Sequence, residues 1–104
     1  DKMAKIVNIT DKLEMDGNPF LIIKDKKIEV NADAATMLKI MGKYGEMEAS
    51  EATPKDLLDL YGLMFPKASQ EKIEKLKLSF KDLTVLVEEA QKLITGEEDE
   101  SEGE

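Results

Sequence analysis

The 104-residue chain predicts an α+β fold that is mainly α: an N-terminal β-hairpin of short antiparallel strands, a bundle of about four helices, and a disordered acidic C-terminal tail. Three observations predict it. The apolar pattern changes period near Asn31, from strand-like alternation to spacings of three and four. Side chains suited to capping stand immediately ahead of the helical stripes. Residues 97–104 carry no apolar side chain at all. The corresponding division is 1–30 for a hairpin segment packed on the helices, 31–96 for the helical domain and 97–104 for the tail.

Residues 4–30 are rich in isoleucine, valine and phenylalanine, punctuated by Asp16-Gly17-Asn18-Pro19 and Lys24-Asp25-Lys26-Lys27. Asp16-Gly17, between Leu13-Glu14-Met15 and Phe20-Leu21-Ile22-Ile23, is a hairpin signal, because glycine adopts the left-handed backbone of a tight turn at no steric cost. Pro19 cannot donate to a ladder and belongs at an edge or in the loop. Ile28 and Val30 alternate with Lys27 and Glu29 as a half-buried strand would. So short a ribbon is marginal alone, which is why it should pack on the helices.

Asn31 or Asp33 can cap a first helix with Ala34, Met37, Leu38, Met41 and Tyr44 on one stripe, ending at Gly42 to Gly45. Glu46 to Ala52 then reads as a loop. Thr53-Pro54-Lys55-Asp56 supplies an N-cap hydroxyl, a proline where its missing N–H costs nothing, and an early carboxylate. Leu57, Leu58, Tyr61, Met64 and Phe65 form the second stripe, and Pro66 stops it. Gly62 inside this helix predicts a close crossing or a bend. Ser69 can cap a short third helix carrying Ile73 and Leu76. Ser79 caps a last helix from Phe80 to Thr95, with Phe80 as a core anchor, Leu83, Val87, Ala90 and Ile94 along its stripe, and Gly96 at its end.

Composition removes several function classes. Cysteine, histidine and tryptophan are absent, so thiolate metal sites, disulfides and Ser–His or Cys–His catalysis are unavailable. All 15 basic residues are lysines and the net charge is −8, so the bidentate arginine fork that reads phosphate and guanine is missing. Nucleic acid is therefore not an expected partner. Six of the 23 acids lie in 97–104, which leaves 17 acids against 15 lysines elsewhere, a balance of −2. That tail should stay disordered, since like charges repel and nothing can be buried to offset ordering. No apolar run approaches the ~20 residues of a membrane-spanning helix.

What remains points to binding rather than turnover, and no enzyme activity, cofactor or metal is expected. Asp56 and Asp59, or Glu88 and Glu89, sit where solvated helix faces carry acids. A calcium loop centred on Gly17 fails, with Lys12 opening it and Ile23 closing it. Lys72, Lys75, Lys77 and Lys81 interleave with Glu71, Glu74 and Asp82 as a solvated mixed face does. Met37, Met41 and Met64 fit either ordinary core packing or a compliant groove for a helical partner. Taken as a groove, the protein-binding residues are Met37, Met41, Leu57, Tyr61, Met64 and Phe65.

Ala34-Ala35-Thr36-Met37-Leu38-Lys39, Pro54-Lys55-Asp56-Leu57-Leu58-Asp59-Leu60-Tyr61 and Leu78-Ser79-Phe80-Lys81-Asp82-Leu83-Thr84 resemble the tail assembly chaperones of long-tailed, siphovirus-type bacteriophages of Gram-positive bacteria. The resemblance covers roughly Val30 to Ile94. It implies a protein of the infected host's cytoplasm, absent from the mature virion, that binds the helical tape measure protein, keeps it soluble and recruits the major tail protein as the tube assembles. It implies neither a membrane nor a nucleic-acid partner, and leaves homo-oligomerisation open. Two other readings fit the composition: a head–tail connector or minor tail protein retained in the virion, and an acidic regulatory protein mimicking nucleic acid.

Overall fold

The computed structural model describes residues 5–13 and 17–96. After a 3-10 turn at Thr10–Lys12 come β1 (Phe20–Ile23), β2 (Lys26–Glu29), α1 (Ala34–Tyr44), a 3-10 turn at Ala49–Glu51, α2 (Pro54–Met64), α3 (Lys67–Leu76) and α4 (Phe80–Thr95). The expected order of a hairpin followed by four helices is the observed one. The tail at 97–104 lies outside the described residues.

Of the two breaks in the strand pattern, the hairpin turns at the second, Lys24 to Lys27, and not at Asp16-Gly17. β1 and β2 pair antiparallel with Leu21 opposite Ile28 and Ile23 opposite Lys26, so the loop is Lys24-Asp25. Lys24 takes the left-handed backbone that a tight two-residue connection needs, at φ 56°. Asp16 lies outside the described residues, and Leu13 and Gly17 are in no strand. Pro19 precedes β1 and its carbonyl accepts the Val30 N–H at 3.0 Å, which carries the pairing one step past β2. Alternation then aims Ile28 and Val30 inward, where both are fully buried.

Ile28 and Val30 join Ile40, Ala49, Leu57, Leu60, Met64, Phe65, Ile73, Leu86, Val87, Ala90 and Ile94 in one apolar cluster. Polar contacts seat the hairpin on it. Ser69, buried on α3, donates its hydroxyl to the Glu29 carbonyl at 2.7 Å. Lys72 Nζ donates to the Lys27 carbonyl at 2.9 Å. Asn31 donates its backbone N–H to the Met64 carbonyl at 2.7 Å and its side-chain amide to the Leu63 carbonyl at 3.2 Å, closing the end of α2 against β2. Ser69 is therefore a tether inside α3 rather than its cap; Pro66 holds the cap position.

The other helix starts follow their local chemistry. Asp33, Thr53 and Ser79 each accept a backbone N–H three residues on, from Thr36, Asp56 and Asp82. Glycines at positive φ end α1 and α4, Gly45 at φ 60° and Gly96 at φ 83°, the second in the left-handed helical cap conformation. Gly42, expected at the end of α1, lies within it. The segment 46–52, read as a loop, contains the Ala49–Glu51 turn, with Ala49 buried and the Met47 carbonyl held by the Gln91 amide at 2.8 Å.

Candidate partner-binding groove

α2 does not bury all of its leucines. Leu57, Leu60 and Met64 recur at three and four residues and face the interior. Leu58, turned about 100° from Leu57, is left 69% exposed. α4 shows the same outcome. Phe80 lies on the apolar stripe of Leu83, Val87 and Ile94, yet at the first residue of the helix it is 63% exposed. The expectation that Phe80 anchors the core is corrected on this ground: the helical angle places it on the apolar stripe, but it is left out of the buried cluster.

Leu58 and Phe80 stand at the walls of one open groove of about 640 Å³. Pro54, Leu57 and Tyr61 come from α2, Ile73, Glu74 and Lys77 from α3 and its end, Leu78 from the connection, and Leu83 from α4. Leu57 and Ile73 are buried and make the floor. Tyr61 is held by its hydroxyl on the Gln70 carbonyl at 3.4 Å and by its ring 5.6 Å from Phe65. Burial, and then the nearby Glu74 carboxylate, push the Tyr61 hydroxyl above its ordinary value, so it remains a neutral donor at physiological pH. The groove thus offers an apolar floor, two uncovered apolar walls, one acid and one base.

The six residues proposed from the sequence do not share a surface. Leu57 and Tyr61 belong to the groove. Met64 and Phe65 are in the interior and present nothing to a partner. Met37 is half-buried against the core. Met41, 44% exposed, lines a separate polar depression with Glu46, Glu48 and Glu88. On α1 the inward residue is Ile40, with Met37 and Tyr44 flanking it, and Leu38 and Met41 turn outward. The methionines therefore do not form a common groove. Leu58 and Phe80 complete the groove, and for Leu58 a signal was present: adjacent helical positions are turned about 100° apart, so with Leu57 facing inward Leu58 falls toward the edge of the buried face.

α1 and α2 are also joined by a polar cluster. Asp59 accepts from the Tyr44 hydroxyl and from Lys43 Nζ, the latter at 3.1 Å. The Tyr44 bond, then Lys43, holds the Asp59 carboxyl below its usual range, and the same bond pushes Tyr44 up to about 12. Both groups satisfy each other, as a structural brace does. Among the described residues there is no group of His, Cys, Asp or Glu that could hold a metal ion, and no helix is long and apolar enough to cross a membrane. Comparison with family models, with curated proteins and with solved structures finds no match to this chain.

Proposed function

We propose that this protein is a phage tail assembly chaperone that holds apolar helical segments of the tape measure protein and keeps them soluble while the tail tube assembles. The observation that carries the reading is the open groove with Leu58 and Phe80 uncovered at its walls, a shape and chemistry suited to the apolar face of an amphipathic helix. The likeness of the segments around Ala34, Pro54 and Leu78 to that chaperone family supplies the identity of the client. Many copies on one long client would mask its apolar surface, and the net charge of −8 would keep the decorated client apart from its neighbours. In this reading the protein acts in the host cytoplasm and is left out of the finished particle.

Co-expression with coiled-coil tape measure fragments tests it. The wild type should co-purify with the fragments and be missing from purified particles, whereas a ring of this chain inside the particle would establish a connector instead. Leu58→Asp and Phe80→Asp should abolish co-purification and leave the fold intact, because neither side chain is covered in the monomer. Met41→Asp, away from the groove, should leave capture unchanged. Equal capture by all three variants would remove the groove from the account.

A further inference from the structure

We propose that Lys77 reads a carboxylate on the incoming helix, set about one turn from the apolar residues that occupy the groove. The inference rests on the groove receiving a helix, as proposed above. Its first support is the way the helices end. α4 stops on Gly96 in the left-handed region, at φ 83° and ψ 8°, where no Cβ opposes that conformation. α3 stops in the same region on Lys77, at φ 55° and ψ 49°. A side chain there is costly, and at the end of α4 the chain meets the same need without one.

Among the described residues no hydrogen bond or ion pair uses the side chain retained at that cost. The last turn of α3 already contains Lys75 to complement its carbonyl end. Lys77 has no ion-pair partner among the described residues. Instead it lines the apolar groove, with Glu74 three residues before it on the same helix. An acid and a base in sequence along an apolar lining make it directional: the complementary helix presents a basic group toward Glu74 and a carboxylate toward Lys77. Local strain at a binding surface is the pattern expected when a residue serves recognition and not stability.

The test uses the full chain and two synthetic amphipathic helical peptides, identical except for Glu or Gln placed one turn from their leucine anchors, with affinity read by fluorescence anisotropy at low salt. The wild type should prefer the Glu peptide by about fivefold, the upper range for an exposed ion pair. Lys77→Gly should erase that preference while raising the thermal midpoint by about 4 °C, since the strain is relieved. Lys77→Gln, which keeps the Cβ and loses only the charge, should erase the preference with the midpoint unchanged. Lys24→Gly relieves the other left-handed lysine, outside the groove, and should raise the midpoint with the preference intact. If Lys77→Gly lowers the midpoint or retains the preference, the inference fails and the groove stands. If neither peptide binds the wild type, the helix-acceptor reading itself falls.

Discussion

α2 takes part in two apolar assemblies that differ in cover and hardly at all in composition. Leu60 and Met64 are shut in one cluster with Ile28, Val30 and Val87; Ser69 donates to the hairpin's Glu29 carbonyl, and Asn31, just past β2, donates to the α2 carbonyls of Leu63 and Met64. Leu58, on the same helix, shares a groove with Phe80 that no element of the described chain closes. Apolar side chains occur in both, so hydrophobic content alone does not tell stability from binding. The difference is whether another piece of the chain supplies the second surface. Burial that is complete in the monomer stabilises the fold; burial left incomplete is available to a client.

A matched pair of truncations tests this contrast most severely. Phe65→Ala should cost about 3–5 kcal/mol in urea unfolding, because the fully buried ring leaves a cavity in the core. Phe80→Ala removes the same ring from a mostly exposed site and should cost less than about 0.5 kcal/mol. Similar losses for both would mean that Phe80 is covered, and the distinction between the two assemblies would disappear. Ser69→Ala comes next in size. It strips the Glu29 carbonyl of a donor in a buried place and should cost about 1–3 kcal/mol, with faster hydrogen exchange in β2 than in α4 as its local signature.

These contrasts also show which parts of the structure could be read in advance. Helix starts at Asp33, Thr53 and Ser79 were readable because a cap bonds to an N–H three residues on, so cause and effect sit in one short window. The hairpin loop was readable only as one of two breaks in the strand pattern: Lys24 to Lys27 contains it, but a lysine announces no left-handed backbone, whereas Asp16-Gly17 does, so the stronger signal lay elsewhere. Ser69 looked like a cap, and its true partner is the carbonyl of Glu29, forty positions away. For the site, the helical stripes located α2 correctly, but periodicity assigns a direction and not a cover. Phe80, on the apolar stripe and outside the buried cluster, escaped for that reason.

Gly62 sharpens the comparison from the opposite side. The sequence suggests a close crossing, yet a Cβ built there meets nothing within 4 Å, so no neighbour requires the glycine. Gly62→Ala should therefore stabilise α2 by about 0.5–1 kcal/mol in chemical denaturation. Gly42, inside α1 and equally unobstructed, should behave alike. Destabilisation by either alanine would reveal a contact that makes these helix faces part of the covered assembly.

The smallest expected effect is a pH dependence at the Tyr44–Asp59 brace. Tyr44 is pushed up to about 12 from 10.0, chiefly by its hydrogen bond to Asp59, so the folded chain holds that proton more tightly than the unfolded one. The contribution is complete below pH ~10 and is lost as pH rises through the folded value, because the unfolded chain deprotonates first. Asp59 works in the other direction: its carboxyl is held below 3.8, so its contribution is complete above that value and is lost as pH falls through the lowered one. Tyr44→Phe keeps the ring and removes the proton. The stability difference between wild type and Tyr44→Phe should be constant from about pH 5 to 9 and shrink between about pH 10 and 12, followed by circular dichroism during urea titration. A gap that stays constant through pH 12 would mean that Tyr44 loses its proton alike in folded and unfolded chains, and that its bond to Asp59 adds no pH-dependent stability to the joining of α1 and α2.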